Sequence, residues 1–217
     1  MLRLVDLNVG YGRQEVLSSL NYHFDSGSVT AIIGRNGCGK STLLRTIVGL
    51  LPPVSGKVLW NDTDVREMSL QTLAKKVAAV FTTRYDAGML TVREVVEMGR
   101  LPYASLTGHL SEYDRQTVEQ SMEIMQVLPL GAKRLGAISD GERQRVMLAK
   151  ALAQKTPAIV LDEPTAFLDY RARPEILGIL KRLAEENGKT ILLTTHDVEL
   201  ARHLCDAVWN LDEGDTK

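Results

Sequence analysis

The sequence predicts an α/β fold with a mostly parallel core sheet, an N-terminal antiparallel β subdomain and an inserted helical subdomain. Short apolar runs alternate along the chain with helical periods, which is typical of a parallel sheet covered by helices. The opening segment alternates apolar and polar residues, and a later stretch of about 60 residues has helical periods with no strand between them. Because 217 residues are enough for one well-packed domain, we expect residues 1–217 to form a single domain.

The first elements along the chain are an antiparallel pair of strands, LRLVDLNVGY and EVLSSLNYHF. Val29 to Ile33 is an apolar run typical of a buried strand, and it is followed by a glycine-rich turn and a helix from about Lys40 to Val48. GKVLWND is predicted as a strand and turn after the break at two prolines.

Helical periods dominate the stretch after a buried strand at Val77–Phe81. The predicted helices lie in TVREVVEMG, SEYDRQTVEQSMEIMQVL and SDGERQRVMLAKALAQ. We therefore place the inserted helical subdomain over about residues 88–155. Beyond it the predicted elements are a strand at AIVLD, a helix over Pro174–Glu186, a strand at KTILLTT, a helix from Val198 and a strand at AVWNLD.

Composition argues against several classes of function. Charged residues make up 24% of the chain and the net charge is −1, so bulk electrostatics do not favour nucleic-acid binding. No apolar run approaches the about 18–20 residues that cross a bilayer, and the N-terminus lacks the apolar region of a secretory signal. Cys38 and Cys205 give neither a disulfide framework nor metal-ligand spacing, which fits a reducing cytosol.

The segment GRNGCGKS fits the phosphate-loop pattern G-x-x-x-x-G-K-[ST], with a buried strand before it and a helix after it. Its glycines let consecutive backbone N–H groups face one anion, and the helix N-terminus favours negative charge. Lys40 would place its ammonium on the β- and γ-phosphates, and the Ser41 hydroxyl would face Mg²⁺. A glycine-rich turn with an incidental lysine is the alternative. The predicted nucleotide-binding residues of this loop are Gly34, Arg35, Asn36, Gly37, Cys38, Gly39, Lys40, Ser41 and Thr42.

Acidic residues follow another apolar run, Ala158–Leu161, which is predicted to be a strand covered on both faces. Ligands of open α/β sheets sit at the carboxyl ends of the strands, so Asp162 and Glu163 should face the phosphates. Asp162 suits Mg²⁺, and Glu163 suits polarising the attacking water. His196 follows a further strand and could hydrogen-bond the γ-phosphate. A solvated turn at the acids and a helix-start role for His196 are the alternatives.

A second helix start suited to an anion lies about 100 residues after the first, at Ser139-Asp140-Gly141-Glu142. Ser139 at the N-cap and Glu142 three residues later form the pattern of a capping box. Gly141 leaves the backbone open to close approach by a phosphate. One nucleotide cannot easily use both helix starts within one chain.

Together these motifs resemble those of the ATP-binding cassette (ABC) ATPases. GRNGCGKST, ISDGERQR, AIVLDEP, FLD and TTH stand in that family's order for the phosphate loop, signature, second acidic motif, D-loop and H-loop. The resemblance implies a head-to-tail homodimer in which each signature helix completes the ATP site of the other copy. It implies catalytic roles for Lys40, Glu163 and His196. It also implies that Tyr11 stacks on adenine and that Asp169 of the D-loop contributes to the nucleotide site.

The signature departs from the family's usual LSGGQ, because Asp140 replaces the first glycine and Glu142 replaces the glutamine. Ser139 and Gly141, the positions most useful for phosphate contact, are present. We therefore expect a working signature with Ser139, Gly141 and Glu142 at the nucleotide.

The stretch AAVFTTRYDAGMLTV contains a strand end at which the family normally carries a glutamine that reaches Mg²⁺ or the attacking water. Thr82 occupies that position, with Thr83 next to it. A threonine hydroxyl stops roughly two bonds short of a glutamine amide oxygen, so we expect a bridging water between Thr82 and the metal.

Gly99-Arg100-x-Pro102-Tyr103 is similar to the G-R-x-P-[HY] stretch of ATPases from importers of iron–siderophore, heme and vitamin B12. The resemblance implies a subunit on the cytoplasmic face of the membrane that hydrolyses ATP to drive uptake. Its partners would be permease subunits that dock on the helical subdomain and the Thr82 loop. A helix end with a proline turn would explain the same residues.

Two other classes of function compete with transport. Soluble cassette ATPases that act on DNA or ribosomes usually carry long coiled-coil insertions or tandem cassettes, whereas this chain has one phosphate loop and a compact insertion. Small-molecule kinases and GTPases use a similar loop, but no N-K-x-D guanine motif occurs and ISDGERQR would have no role in them. We therefore expect no nucleic-acid partner.

Overall fold

The computed structural model describes residues 2–12, 14–82, 89–104 and 109–212. The strands are β1 (Leu2–Tyr11), β2 (Gln14–Phe24), β3 (Val29–Ile33), β4 (Ser55–Trp60), β5 (Thr63–Asp64), β6 (Val77–Val80), β7 (Ala158–Leu161), β8 (Thr190–Thr194) and β9 (Ala207–Asn210). The α-helices are α1 (Lys40–Ile47), α2 (Leu70–Ala74), α3 (Val92–Glu97), α4 (Glu112–Ile124), α5 (Asp140–Ala153), α6 (Ala172–Asn187) and α7 (Val198–Leu204). These elements confirm the predicted α/β fold, with a parallel sheet and an antiparallel sheet.

The core sheet consists of parallel strands in the order β6-β7-β8-β3-β9. Every residue of β3, β7 and β8 is buried, which explains why these strands are nearly continuous apolar runs rather than alternating ones. Because all the strands run in the same direction, the residues that follow β6, β7, β8 and β3 meet at one edge of the sheet.

The second sheet is antiparallel, with the strand order β2-β1-β4-β5. Its last two strands follow α1 in the sequence, so this sheet extends beyond the N-terminal segment that predicted it. Tyr22 of β2 stacks on Trp209 of β9 with ring centroids 4.3 Å apart, and Phe24 meets the same indole at 5.9 Å. Burial of these large rings holds the antiparallel sheet against the core sheet.

Sequence periodicity misses two short elements, β5 and α2. The strand has 2 residues and the helix has 5, so neither gives a repeat that can be counted. Ser69 begins α2 by accepting a hydrogen bond from the backbone N–H of Thr72 at 3.1 Å. Most other boundaries fall within a few residues of the predictions; α6, for example, begins at Ala172 rather than Pro174.

Among the described residues between β6 and β7, the helices α3, α4 and α5 pack on one another around buried apolar side chains. These include Val92, Val95, Val96, Val118, Met122, Val146 and Ala149. Across residues 89–104 and 109–157 the only β-type pairing is an isolated bridge between Thr91 and Arg134. Within the described ranges of the chain, no helix is both long and apolar enough to cross a membrane.

A buried ion pair braces this helical segment. Arg100 is 3% exposed, and its Nε donates to Asp114 Oδ1 at 2.8 Å while its Nη1 donates to the carbonyl oxygen of Ala153 at 2.8 Å. The guanidinium also lies 4.2 Å from the ring centroid of Tyr103. Gly99 is required beside it, because a Cβ there would lie 2.3 Å from the carbonyl oxygen of Lys150. The G-R-x-P-Y stretch therefore joins the segment after α3 to α4 and to the end of α5.

Replacing Arg100 with methionine should lower the free energy of unfolding by about 3 kcal/mol, because Asp114 would stay buried without its cation. Chemical denaturation measures this loss. The control is Arg3→Met, since Arg3 pairs with Asp62 in solvent and such pairs contribute less than about 1 kcal/mol. Equal losses in the two variants would contradict a stabilising role for the buried pair.

Candidate active site

A cleft of about 370 Å³ lies at the edge of the core sheet where β6, β7, β8 and β3 end. Its lining residues are Tyr11, Val16, Asn36, Gly37, Gly39, Lys40, Ser41, Thr42, Thr82, Asp162, Glu163 and His196. Every one of them except Val16 is a residue that the sequence singles out. Gly34, Arg35 and Cys38 belong to the same loop between β3 and α1 but do not line the cleft.

The phosphate loop is closed by Lys40. Its ammonium reaches back over the loop and donates to the carbonyl oxygens of Gly34 at 2.7 Å and Arg35 at 3.1 Å. Gly39 has a φ of 109°, in the left-handed region that favours glycine, and a Cβ there would lie 2.7 Å from Cγ1 of Val16. The ammonium and the N-terminus of α1 give this side of the cleft the positive potential that a phosphate requires.

Three of the residues that are predicted to bind the nucleotide, Tyr11, Arg35 and Cys38, lie at the margins of this loop. Tyr11 is 52% exposed, and its hydroxyl accepts a hydrogen bond from Nη1 of Arg45 at 3.5 Å. The backbone N–H of Arg35 donates to Asp212 Oδ2 at 2.8 Å, and the exposed Arg35 side chain places its Nε 3.6 Å from Asp212 Oδ1. Cys38 is a half-buried free thiol. Of the three, only Tyr11 contributes a surface to the cleft, and its open ring face is suited to stacking on a base.

Thr194, at the end of β8, joins the two acids that follow β7. Its hydroxyl donates to Asp162 Oδ1 at 2.8 Å and accepts a hydrogen bond from the backbone N–H of Glu163 at 2.9 Å. The pairing of Leu161 with Leu193 places Asp162 beside this threonine. Glu163 has a φ of 53°, a left-handed conformation that is uncommon for a residue other than glycine. Thr194 therefore holds the carboxylate of Asp162 and the backbone of Glu163 in one arrangement.

Glu163 and His196 lie against each other in the cleft. His196 Nε2 lies 2.9 Å from Glu163 Oε1, and the glutamate side chain is 17% exposed while the histidine is 54% exposed. Burial raises the pKa of the Glu163 carboxyl above its usual range, although the charges of His196 and Lys40 oppose the shift. A carboxylate with a raised pKa at a solvent-facing cleft is suited to accept a proton from water.

Oxygen-bearing side chains suited to a divalent cation also line the cleft. Asp162 is 5% exposed, and its carboxylate shares the lining with the hydroxyl of Ser41. Mg²⁺ prefers such oxygen donors and keeps several waters. The hydroxyl of Thr82, the third predicted ligand, donates to the carbonyl oxygen of Asp162 over 3.4 Å, a long hydrogen bond. Thr83 lies outside the described residues.

The residues of the ISDGE segment do not line this cleft. Ser139 caps α5 and forms the predicted capping box with Glu142, which the structure confirms. Gly141 packs beneath the segment after β7, where a Cβ would lie 3.3 Å from the carbonyl oxygen of Phe167. Asp169 caps the start of α6 by accepting from the backbone N–H of Ala172 at 2.8 Å. Within one chain the two helix starts are thus separate sites.

Comparison with protein families identifies this arrangement. A family model described as ABC transporter matches residues 17–166, a range that contains the phosphate loop, the acid pair and ISDGE. The chain belongs to the ABC transporter family. A second model, described as an AAA domain, putative AbiEii toxin, Type IV TA system, matches the shorter range 134–202 of this ABC cassette.

Several curated proteins are similar to the cassette over most of its length. An uncharacterized ABC transporter ATP-binding protein of Methanocaldococcus jannaschii is 41% identical over 95% of this chain and 71% of its own. An iron(3+)-hydroxamate import ATP-binding protein of Bacillus subtilis is 38% identical over 96% of this chain and 77% of its own. A cobalamin import ATP-binding protein of Halobacterium salinarum is 35% identical over 98% of this chain and 53% of its own.

Solved structures agree with this assignment. A dimeric ATP-binding cassette in a post-hydrolysis state bound to ADP and Pi matches with a TM-score of 0.87 and 28% identity, covering 100% of this chain and 97% of that one. An inward-facing putative metal-chelate type ABC transporter matches with a TM-score of 0.83 and 26% identity, covering 97% of this chain and 79% of that one. The cassette is an ATP-binding protein and an ATPase.

Sequence reasoning missed two residues of the site, Thr194 and Val16. Thr194 lies in the quoted TTH motif, at the end of an apolar strand, but its contact with Asp162 depends on the register of β7 and β8, which the sequence does not show. Val16 carries no such signal: it lies on β2, in a different sheet, and reaches the cleft only through the way the two sheets pack.

Proposed function

We propose that two copies of this cassette pair head to tail, so that Ser139 and Gly141 of each copy complete the ATP site of the other. One observation carries this proposal. The cleft holds the phosphate loop, the acid pair and His196, whereas no residue of ISDGE lines it. Meanwhile Ser139 is exposed at the N-terminus of the 14-residue helix α5, which favours an anion from outside. The related post-hydrolysis cassette is also dimeric.

Within each composite site, the residues of the cleft divide the chemistry. Lys40 and the loop N–H groups bind the β- and γ-phosphates, while Tyr11 stacks on adenine. Glu163 accepts a proton from the water whose oxygen bonds to the γ-phosphorus as the bond to ADP breaks, and His196 positions Glu163. Ser41 and Asp162 would hold Mg²⁺, which neutralises phosphate charge when it is bound.

The transported substrate proposed for this ATPase is an iron chelate, heme or a cobalamin-type molecule. Support comes from relatives that are named for import of iron(3+)-hydroxamate and cobalamin and for transport of achromobactin, at 35–38% identity. The partner would be an integral-membrane permease, with the cassette at the cytoplasmic face of the membrane. The helical subdomain, about residues 88–155 of the single domain 1–217, would receive the permease together with the Thr82 loop.

Thr82 is proposed to act on the metal or the attacking water through a bridging water. Thr82→Val keeps the shape but removes the hydroxyl, so it should slow turnover at saturating ATP and Mg²⁺ by about threefold to tenfold. Thr82→Gln should retain turnover close to wild type, because the amide oxygen would reach the position of the water. Unchanged turnover in the valine variant would make Thr82 an ordinary strand-end residue.

Import can be tested by co-expressing the tagged cassette with a candidate metal-chelate permease. We expect the two to co-purify in detergent. After reconstitution, a binding protein loaded with ferric hydroxamate or cobalamin should stimulate the ATPase rate several-fold, and the unloaded protein should stimulate it less. Co-purification with ribosomes or nucleic acid, with an ATPase rate that those partners stimulate, would contradict import and favour a soluble ABC ATPase.

A further inference from the structure

The starting observation is how Ser139 uses its hydrogen-bond donors. Its backbone N–H and its hydroxyl both donate to Glu142 Oε2, each at 2.8 Å. The hydroxyl oxygen accepts from the backbone N–H of Glu142 at 3.2 Å. A serine hydroxyl has one hydrogen to donate. Both donors that Ser139 could offer to a phosphate are therefore occupied by the carboxylate of its own helix.

The occupying group is itself an anion. The hydrogen bonds from the backbone and hydroxyl of Ser139 lower the pKa of Glu142 below its usual range, so protonation near neutral pH does not release Ser139. Asp140 places a second carboxylate in the same helical turn, and Arg143 offsets it at 3.2 Å. An incoming phosphate must therefore displace one negative charge and approach another.

The same hydrogen bonds occur elsewhere in the chain, which provides internal references. At the start of α3, Thr91 donates its N–H and hydroxyl to Glu94 Oε2 at 2.7 and 2.8 Å, in nearly the same geometry. At the start of α4, Ser111 makes the equivalent bonds to Asp114 Oδ2 at 3.0 and 2.6 Å. The arrangement by itself is an ordinary helix cap, and an aspartate can form it as well as a glutamate.

We propose that Glu142 is a positioning residue that competes with the nucleotide of the second copy for Ser139. The carboxylate keeps the helix cap closed in the separate cassette, and pairing opens it when the phosphate takes over the donors of Ser139. This raises the ATP concentration at which two cassettes pair. A neutral glutamine would accept the same hydrogen bonds more weakly and give way more easily. The inference rests on the proposed head-to-tail pairing.

The test measures ATP-dependent pairing by light scattering after size exclusion, in the full chain carrying Glu163→Gln to prevent turnover. Adding Glu142→Gln should lower the ATP concentration for half-maximal pairing by about threefold to tenfold. Glu142→Ala should lower this ATP concentration at least as much. Because alanine has no amide, that result would show that the effect comes from losing the carboxylate and not from a new hydrogen bond made by glutamine. Glu142→Asp should leave it within about twofold, because aspartate forms this cap at Ser111.

The matched controls are Glu94→Gln and Glu94→Ala, which alter the nearly identical cap at Thr91. They should lower the melting temperature about as much as the Glu142 variants and leave the ATP concentration for pairing unchanged. Glu142 variants that pair no more readily than the Glu163→Gln parent would overturn the inference alone. A parent that stays monomeric at every ATP concentration would overturn the proposed pairing, and the inference with it.

Discussion

Replacing Glu163 with glutamine will slow ATP hydrolysis by about 10²- to 10⁴-fold, the usual contribution of a general base. ATP binding should persist, because the phosphate loop and Asp162 are unchanged and the amide nearly preserves the shape of the side chain. The variant should therefore accumulate as an ATP-bound dimer. Single-turnover hydrolysis and light scattering measure the two effects. Normal turnover would place the general base at another residue.

The fall of the ATP hydrolysis rate at low pH tests Glu163 as the general base in the unmodified protein. Glu163 must be ionised to accept a proton, and burial raises its pKa. Hydrolysis should therefore fall with decreasing pH at a higher pH than an ordinary carboxyl would give. In the Glu163→Gln variant, the residual hydrolysis rate should no longer show this decrease at low pH. A decrease that persists there would belong to another group.

Replacing Lys40 with alanine will abolish ATP turnover and weaken ATP binding by about 10- to 100-fold, as expected for the loss of a charge-assisted hydrogen bond. The cause is the loss of the ammonium that now closes the loop onto the carbonyl oxygens of Gly34 and Arg35. Binding of a fluorescent ATP analogue and steady-state phosphate release measure the two quantities.

Lys57→Ala is the matched control for that variant, because Lys57 is an exposed lysine on β4 and does not line the cleft. It should retain both binding and turnover. Melting curves of the two variants show whether the Lys40 substitution also loosens the loop. Near-normal hydrolysis by a folded Lys40→Ala protein would contradict the phosphate-loop assignment.

The residues that line the cleft could largely be predicted from the sequence, because their positions depend on one contiguous motif and one topological rule. The phosphate loop is contiguous, so its spacing alone positions Lys40 and Ser41 at a helix start. Asp162 and His196 come from distant segments, but both follow apolar strands of a parallel sheet. Such strands end at one edge, and that rule is sufficient to bring these side chains into the same cleft.

Features that depend on register and packing could not be predicted in this way. Thr194 joins the acids only because β7 and β8 pair Leu161 with Leu193. The stretch around Arg100 was interpreted from the sequence as a family resemblance, with a proline turn as the alternative. Neither interpretation indicated the burial of Arg100 against Asp114, a contact between residues 14 positions apart. The capping box at Ser139 was predictable from local spacing, whereas the structure was needed to show that Glu142 occupies both hydrogen-bond donors of the serine.

The left-handed backbone conformation of Glu163 lowers folding stability at a position whose side chain is needed for activity. Glycine would adopt its φ of 53° without steric strain, whereas a residue with a Cβ costs on the order of 1 kcal/mol there. Selection for a robust fold alone would favour glycine at this turn, and glycine would remove the proton acceptor. A search for thermostable variants of this protein should therefore return inactive substitutions at residue 163, and melting temperature alone would misidentify them as improvements.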